Sequence, residues 1–143
     1  MSVSKFNAEG YHDPTAYEAL SAVARDEKAR TRPHRPMVFI CSAYAGDVAE
    51  NIMNARRYCL FAVRQGVIPF APHLLYTQFL DDHDGEQRAL GLSFGLAWLR
   101  KCDALWLFGE RISDGMRREI NAAKRHGLRI KHYNDNLEEI YHE

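Results

Sequence analysis

The sequence predicts an α/β fold: a small parallel sheet of about four to five strands with helices on both faces, preceded by a helical extension. Three observations predict it. Met37-Val38-Phe39-Ile40-Cys41 and Ala104-Leu105-Trp106-Leu107-Phe108 are continuous apolar runs, the pattern of strands buried on both faces. The segments between such runs space their apolar residues as helices do. Gly66 and Gly127 close two of those segments, where a left-handed residue stops a helix. Strands alternating with helices imply right-handed crossovers and parallel pairing.

Residues 1–12 show no periodicity and read as a loose start. Asp13-Pro14 sets a helix start with proline at its first position, and Thr15 with Glu18 offers an overlapping capping box. Tyr17, Leu20, Val23 and Ala24 share one face of that helix, which runs to about Ala29. Thr31-Arg32-Pro33-His34-Arg35-Pro36 breaks it, so residues 1–36 form an extension suited to assembly and 37–143 the main domain. After the first strand, Ser42-Ala43-Tyr44-Ala45-Gly46 is turn-like, and Asp47 caps a helix with Glu50 three residues on. Val48, Ile52, Ala55, Cys59 and Val63 mark its inner face. Val67-Ile68-Pro69-Phe70 is a short strand whose proline places it at a sheet edge. An irregular middle with one helical turn follows, and then a helix over 86–101 with Leu92, Leu96 and Leu99 inward. The strand 103–108 leads to a helix over 115–126. Residues 128–133 alternate as a last strand, and 135–142 read as a short helix. Trp98 and Trp106 fit a core, while Tyr133, at a strand end, could reach a neighbouring subunit.

Nineteen basic and nineteen acidic residues cancel among 143, so no charge footprint argues for nucleic acid or an anionic membrane. No apolar run approaches the roughly 20 residues of a membrane span, and no secretory segment opens the chain. Cys41, Cys59 and Cys102 are odd in number and sit in apolar segments, as reduced core residues of a cytoplasmic protein do.

Chemistry concentrates at two strand ends. In Ser113-Asp114-Gly115-Met116-Arg117-Arg118-Glu119 a turn opens a helix beside the carboxyl edge of the sheet, where open α/β folds bind ligands. Glu119, in the second turn, leans back over that loop, near amides that also attract phosphate. It is either a nucleophilic carboxylate or a solvated partner of the helix start. Ser42, Tyr44 and Gly46 follow the first strand, and adjacent parallel strands would open both loops into one crevice. His73, after the second strand, either lines that crevice or hydrogen-bonds structurally. Arg117 and Arg118 could neutralise a phosphate or simply occupy a solvated helix face. Asp81-Asp82-His83-Asp84 lacks the helical spacing of a zinc site and reads as a solvated acidic loop; no metal or cofactor is expected.

Val38 to Gly46, Cys102 to Trp106, and Ser113 to Glu119 followed by Ala122, Ala123 and Gly127 resemble the nucleoside 2-deoxyribosyltransferase-like superfamily, in particular its DUF4406-like bacterial and phage branch of unassigned function. The resemblance spans residues 37 to about 131. It implies a flavodoxin-like sheet and a homo-oligomer whose subunits complete each other's pockets. It also implies a glutamate that attacks C1′ of a nucleoside or nucleoside 5′-monophosphate, followed by release to water or another base. By position Glu119 matches the nucleophile. Ser113 matches a serine of the monophosphate hydrolase branch, Ser42 and Gly46 fall in the sugar-phosphate loop, and Gly115 and Met116 belong to the matching motif. Two departures stand out. Gly95 occupies the place of the usual proton-donating aspartate, and Phe39 that of a tyrosine on the nucleophile. His73, Asp81 or Asp82 would then supply the proton. Otherwise the chain is a non-catalytic binder of a nucleotide or an NAD- or ADP-ribose-type signal, or a structural oligomerising protein.

Overall fold

The structure, a computed structural model, describes residues 34–142 together with Glu18, Ala19 and Ser21, which are helical. The rest of the expected helix over 14–29 lies outside the described residues. From Arg35 onward the chain forms one compact unit.

Its strands are β1 (Met37–Cys41), β2 (Ile68–Phe70), β3 (Ala104–Phe108), β4 (Arg129–Tyr133) and β5 (Glu139–Ile140). They form one sheet in the order β2-β1-β3-β4-β5, parallel except for the antiparallel β4–β5 pair. The expected α/β class and mostly parallel sheet are therefore present. Pro69 does sit on an edge strand, where its missing N–H breaks no inner ladder. The helices are α1 (Val48–Arg64), α2 (Pro72–Leu75), α3 (Gly85–Leu99) and α4 (Asp114–Arg125), with a 3-10 turn at Tyr76–Gln78.

Strand alternation sorts the core onto two faces. Val38 and Ile40 of β1 join Trp106 and Phe108 of β3 against Tyr58 and Ala62 of α1. Phe39, Cys41, Leu105 and Leu107 point the other way, against Leu99 of α3 and Met116, Ile120 and Ala123 of α4. Aromatic stacking consolidates the first layer: Tyr58 lies 4.3 Å and Tyr133 5.3 Å from Phe108, ring centre to ring centre.

Four expectations need correction. Residues 135–142 do not make a helix. The Asn134 Oδ1 accepts the amides of Asn136 (2.9 Å) and Glu138 (3.0 Å), which turns the chain back as the β4–β5 hairpin. Leu137 takes a left-handed backbone (φ 63°) there and packs on the Tyr58 layer. Trp98 is 42% exposed rather than core, its indole N–H donating to the Tyr76 hydroxyl at 2.8 Å. Tyr133 is buried in the aromatic stack. On α1 the buried positions are Ala55, Tyr58 and Ala62, while Val48 and Val63 face outward. The periodicity was right in spacing and rotated by about one residue, because the aromatic Tyr58 claims the centre of the contact.

Candidate active site

Both loops at the carboxyl edge are built by helix capping. Asp47 accepts the Glu50 amide at 3.2 Å and starts α1, and Gly46 before it needs its positive φ of 98° to turn off β1. Asn51, one turn into α1, reaches back with its side-chain N–H groups to the carbonyls of Tyr44 (2.9 Å) and Ala45 (3.0 Å). Ser113 caps α4, its Oγ accepting the Met116 amide at 3.2 Å. The loops after β1 and β3 are neighbours because those strands pair directly.

Between the loops lies a crevice of about 780 Å³ lined by Ser42, Gly46 and Ser113 among others. Beside it is a cavity of about 260 Å³, lined by Tyr44, His73, Ser113, Gly115, Met116 and Glu119. Ala45, Ser113 and Asp114 line both spaces. All eight candidate residues read from the sequence thus surround two adjoining spaces. Arg117 and Arg118 line neither of them; Arg117 borders a separate groove against β4 and β5.

Glu119 occupies the inward face of α4 with Met116, Ile120 and Ala123, and is 6% exposed. Loss of water around the carboxyl pushes its pKa up to about 8, against a downward pull from a hydrogen bond with the Cys41 thiol. The solvated alternative is excluded by that burial. His73 stacks on Tyr44, ring centres 4.9 Å apart. Its backbone is held by Thr77, whose hydroxyl donates to the His73 carbonyl at 2.6 Å. Burial lowers the His73 pKa, while Asp82 and a hydrogen bond to the Ser42 backbone oppose that shift. His73 therefore both lines the pocket and ties β1's loop to the segment after β2.

A smaller recess of about 50 Å³ continues beneath the cavity; Glu119, His73, Asp82 and Arg88 border both. Gly95 lines the recess, and a Cβ there would face Pro72 at 3.5 Å. No acid can come from that position as the chain stands. Asp81 and Asp84 serve the local turn, accepting the amides of His83 (2.9 Å) and Glu86 (3.0 Å), and Asp84 caps α3. Among the described residues no group of three or more His, Cys, Asp or Glu is arranged to hold a metal. Arg88 and Asn51 were missed from sequence. Arg88 stands seven residues before Gly95 and so shares its helical face, a signal that was available. Nothing in the spacing of Asn51 announces a loop clamp.

A mostly parallel sheet with paired loops at its carboxyl edge, and a buried glutamate on the helix after one of them, makes this an α/β domain of the deoxyribosyltransferase fold. Among solved structures it matches a 2-deoxyribosyltransferase from the psychrotolerant bacterium Bacillus psychrosaccharolyticus. The TM-score is 0.58 and the identity 16%, over 73% of this chain and 77% of that one, a likeness of fold. No curated protein matches the sequence. The chain belongs to the DUF7768 family, a domain of unknown function matched over residues 36–133, and not to the DUF4406-like branch that the motifs suggested.

Proposed function

We propose that this protein binds a nucleoside and cleaves its N-glycosidic bond, with Glu119 as the nucleophile. The observation that carries the reading is a buried carboxyl lining a cavity at the carboxyl edge of the sheet, with an imidazole bordering the same cavity. The carboxylate attacks C1′, the C1′–N bond breaks toward the base, and a glycosyl ester forms; water or a second base then displaces the ester. The leaving base needs a proton. His73, whose pKa burial lowers, takes a proton from solvent water and passes it to the base as bond cleavage proceeds, with Asp82 stabilising the transient imidazolium. Asp81 is occupied by the local turn and does not line the cavity, so it drops out as donor.

Electrostatics favour a nucleoside over its 5′-monophosphate. The larger crevice is bordered by Asp47, Glu110, Asp114 and Asp135 against the single cation Arg111. Phosphate in that crevice would meet net negative charge.

A second reading, a binder that holds the nucleotide or an NAD-derived ligand intact, is favoured by the glycine at position 95. Incubation with nucleosides, their monophosphates and NAD derivatives, followed by chromatography for free base, separates the two. The enzyme reading expects base release from nucleosides that rises with pH toward about 8 as Glu119 ionises, and that vanishes in Glu119→Gln. Intact ligand co-eluting with the protein would establish the binder, and neither binding nor release would leave only a structural, oligomerising role. The outer face of α3, with Leu90, Phe94 and Trp98 exposed, supports assembly with a second copy.

A further inference from the structure

Gly109 opens the loop over 109–113, which leaves β3, borders the larger crevice and leads into α4. β4 holds this residue from two sides. The Gly109 N–H donates to the Tyr133 carbonyl at 2.9 Å, and the Gly109 carbonyl lies 2.6 Å from His132 Nε2. A carbonyl only accepts, so His132 carries a hydrogen on Nε2. Its other nitrogen, Nδ1, lies 2.8 Å from His142 Nε2, the two rings being nearly parallel at 9°. With both rings neutral, His142 donates there, and the buried His132 has both nitrogens satisfied. His132 pairs with Leu107 in the sheet and so points to the α4 face. The carbonyl and N–H of a trans peptide point in opposite directions. A Gly109 carbonyl turned to the α4 face therefore sends the Glu110 N–H toward the α1 side, where Asn51, Asn54 and Tyr58 border the crevice. Among the described residues that N–H meets no acceptor.

We propose that His132 is a positioning residue for the crevice: by holding the Gly109 carbonyl it aims the Glu110 N–H at a bound ligand. The acceptor on that ligand is a neutral oxygen, a sugar hydroxyl or a carbonyl. Asp47, Glu110, Asp114 and Asp135 border the crevice against Arg111 alone, which disfavours an anionic one. Gly109 has φ 93°, a region where glycine carries no steric penalty, so the peptide that follows it can turn over unless something holds it. His132 supplies that hold. His142 occupies the other ring nitrogen, which keeps the His132 hydrogen on Nε2. A sugar as the occupant rests on the nucleoside reading above; the clamp on Gly109 does not.

Three variants at one position test this. His132→Gln places an amide N–H where Nε2 was, His132→Asn places one where Nδ1 was, and His132→Leu has none. Backbone NMR reads the Gly109 carbonyl 13C and Glu110 amide signals, and hydrogen exchange reads the Gly109 amide. Leucine and asparagine are expected to shift both signals and to lose about 3- to 10-fold in Gly109 protection, the worth of one neutral hydrogen bond. Glutamine should hold the wild-type values. If leucine fails to fold, asparagine against glutamine makes the same comparison with two polar side chains. Signals that move equally in all the variants, or in none, would overturn the proposal. Thymidine and 2′-deoxyadenosine are then titrated in the same spectra, on a Glu119→Gln background so that no bond is cleaved. The Glu110 amide should move together with Ser42 and Gly46, and affinity should fall about 3- to 10-fold with asparagine or leucine but not with glutamine. Movement of Ser42 and Gly46 with a still Glu110 would refute the ligand contact. No crevice signal moving with either nucleoside would count against the nucleoside reading alone, because the carbonyl and exchange measurements still decide whether His132 sets the peptide.

Discussion

Glu119 destabilises the fold over much of the pH range. Its carboxyl has an ordinary value of 4.5 and is pushed up to about 8 by burial. Below the ordinary value both folded and unfolded chains hold the proton, and no penalty exists. Between the two values the unfolded chain ionises while the folded one stays protonated, so stability falls by about 1.4 kcal/mol per pH unit. Above about 8 both are ionised and the full loss remains, on the order of several kcal/mol. Glu119→Gln should therefore melt at a higher temperature than the wild type near pH 9, with the gap nearly closed near pH 5. Thermal unfolding followed by circular dichroism at both values checks this, and a gap independent of pH would contradict the burial argument. Glu119 was legible in the sequence because a glutamate in the second helical turn after a buried strand has few places to point. Its burial was not, since spacing does not reveal which helical face the sheet covers. The Cys41 thiol was hidden for the same reason: it read as one more apolar core residue.

At the scale of elements, the two loops at the carboxyl edge are shaped by residues whose structural work can be separated from any role in binding. Ser113→Ala removes the α4 cap and is expected to lower stability by about 1 kcal/mol, whereas Ser113→Gly should lose only a few tenths. If the hydroxyl also touches ligand, both variants will weaken binding equally despite unequal stabilities; urea unfolding alongside a ligand titration distinguishes the two roles. Gly95 offers the opposite case. A Cβ at this buried helical position would meet Pro72 at 3.5 Å, an ordinary contact, so Gly95→Ala should stabilise α3 by about 0.5–1 kcal/mol in the same unfolding assay. A loss instead would mean that the recess beneath the cavity tolerates no added methyl. Caps and stops were readable here: Asp47, Gly66 and Gly127 mark helix ends in the sequence and in the structure. The β4–β5 hairpin was not, because Asn134 directs it through side-chain hydrogen bonds, while the residues after it carry an apolar spacing compatible with a helix.

Over the whole molecule, the two-faced arrangement around β1 and β3 was visible as unbroken apolar runs, and it forces the paired loops into one crevice. What those runs could not disclose is how much apolar surface the helices leave uncovered. On α3, Leu90 is 45%, Phe94 36% and Trp98 42% exposed, with Phe79 at 63%. Such a cluster on a described surface, in a chain of zero formal net charge, meets no long-range repulsion between copies. Self-association through this face is therefore expected, and sedimentation should show a species larger than the monomer whose melting temperature rises with protein concentration. Leu90→Glu together with Phe94→Glu should return the protein to a monomer. Leu90 is 45% and Phe94 36% exposed, and the Phe94 ring packs 5.4 Å from Tyr76, so the double change should also cost intrinsic stability, on the order of 2 kcal/mol, which unfolding at a concentration where both proteins are monomeric measures separately. Trp98 is the wrong residue to alter first, since its indole bonds Tyr76 and its ring packs 5.2 Å from Phe70, so its loss would confound folding with assembly. A double variant that sediments with the wild type would place any interface elsewhere. If base release falls as the variant becomes monomeric while Glu119 still titrates near 8, then the neighbouring copy supplies part of the pocket.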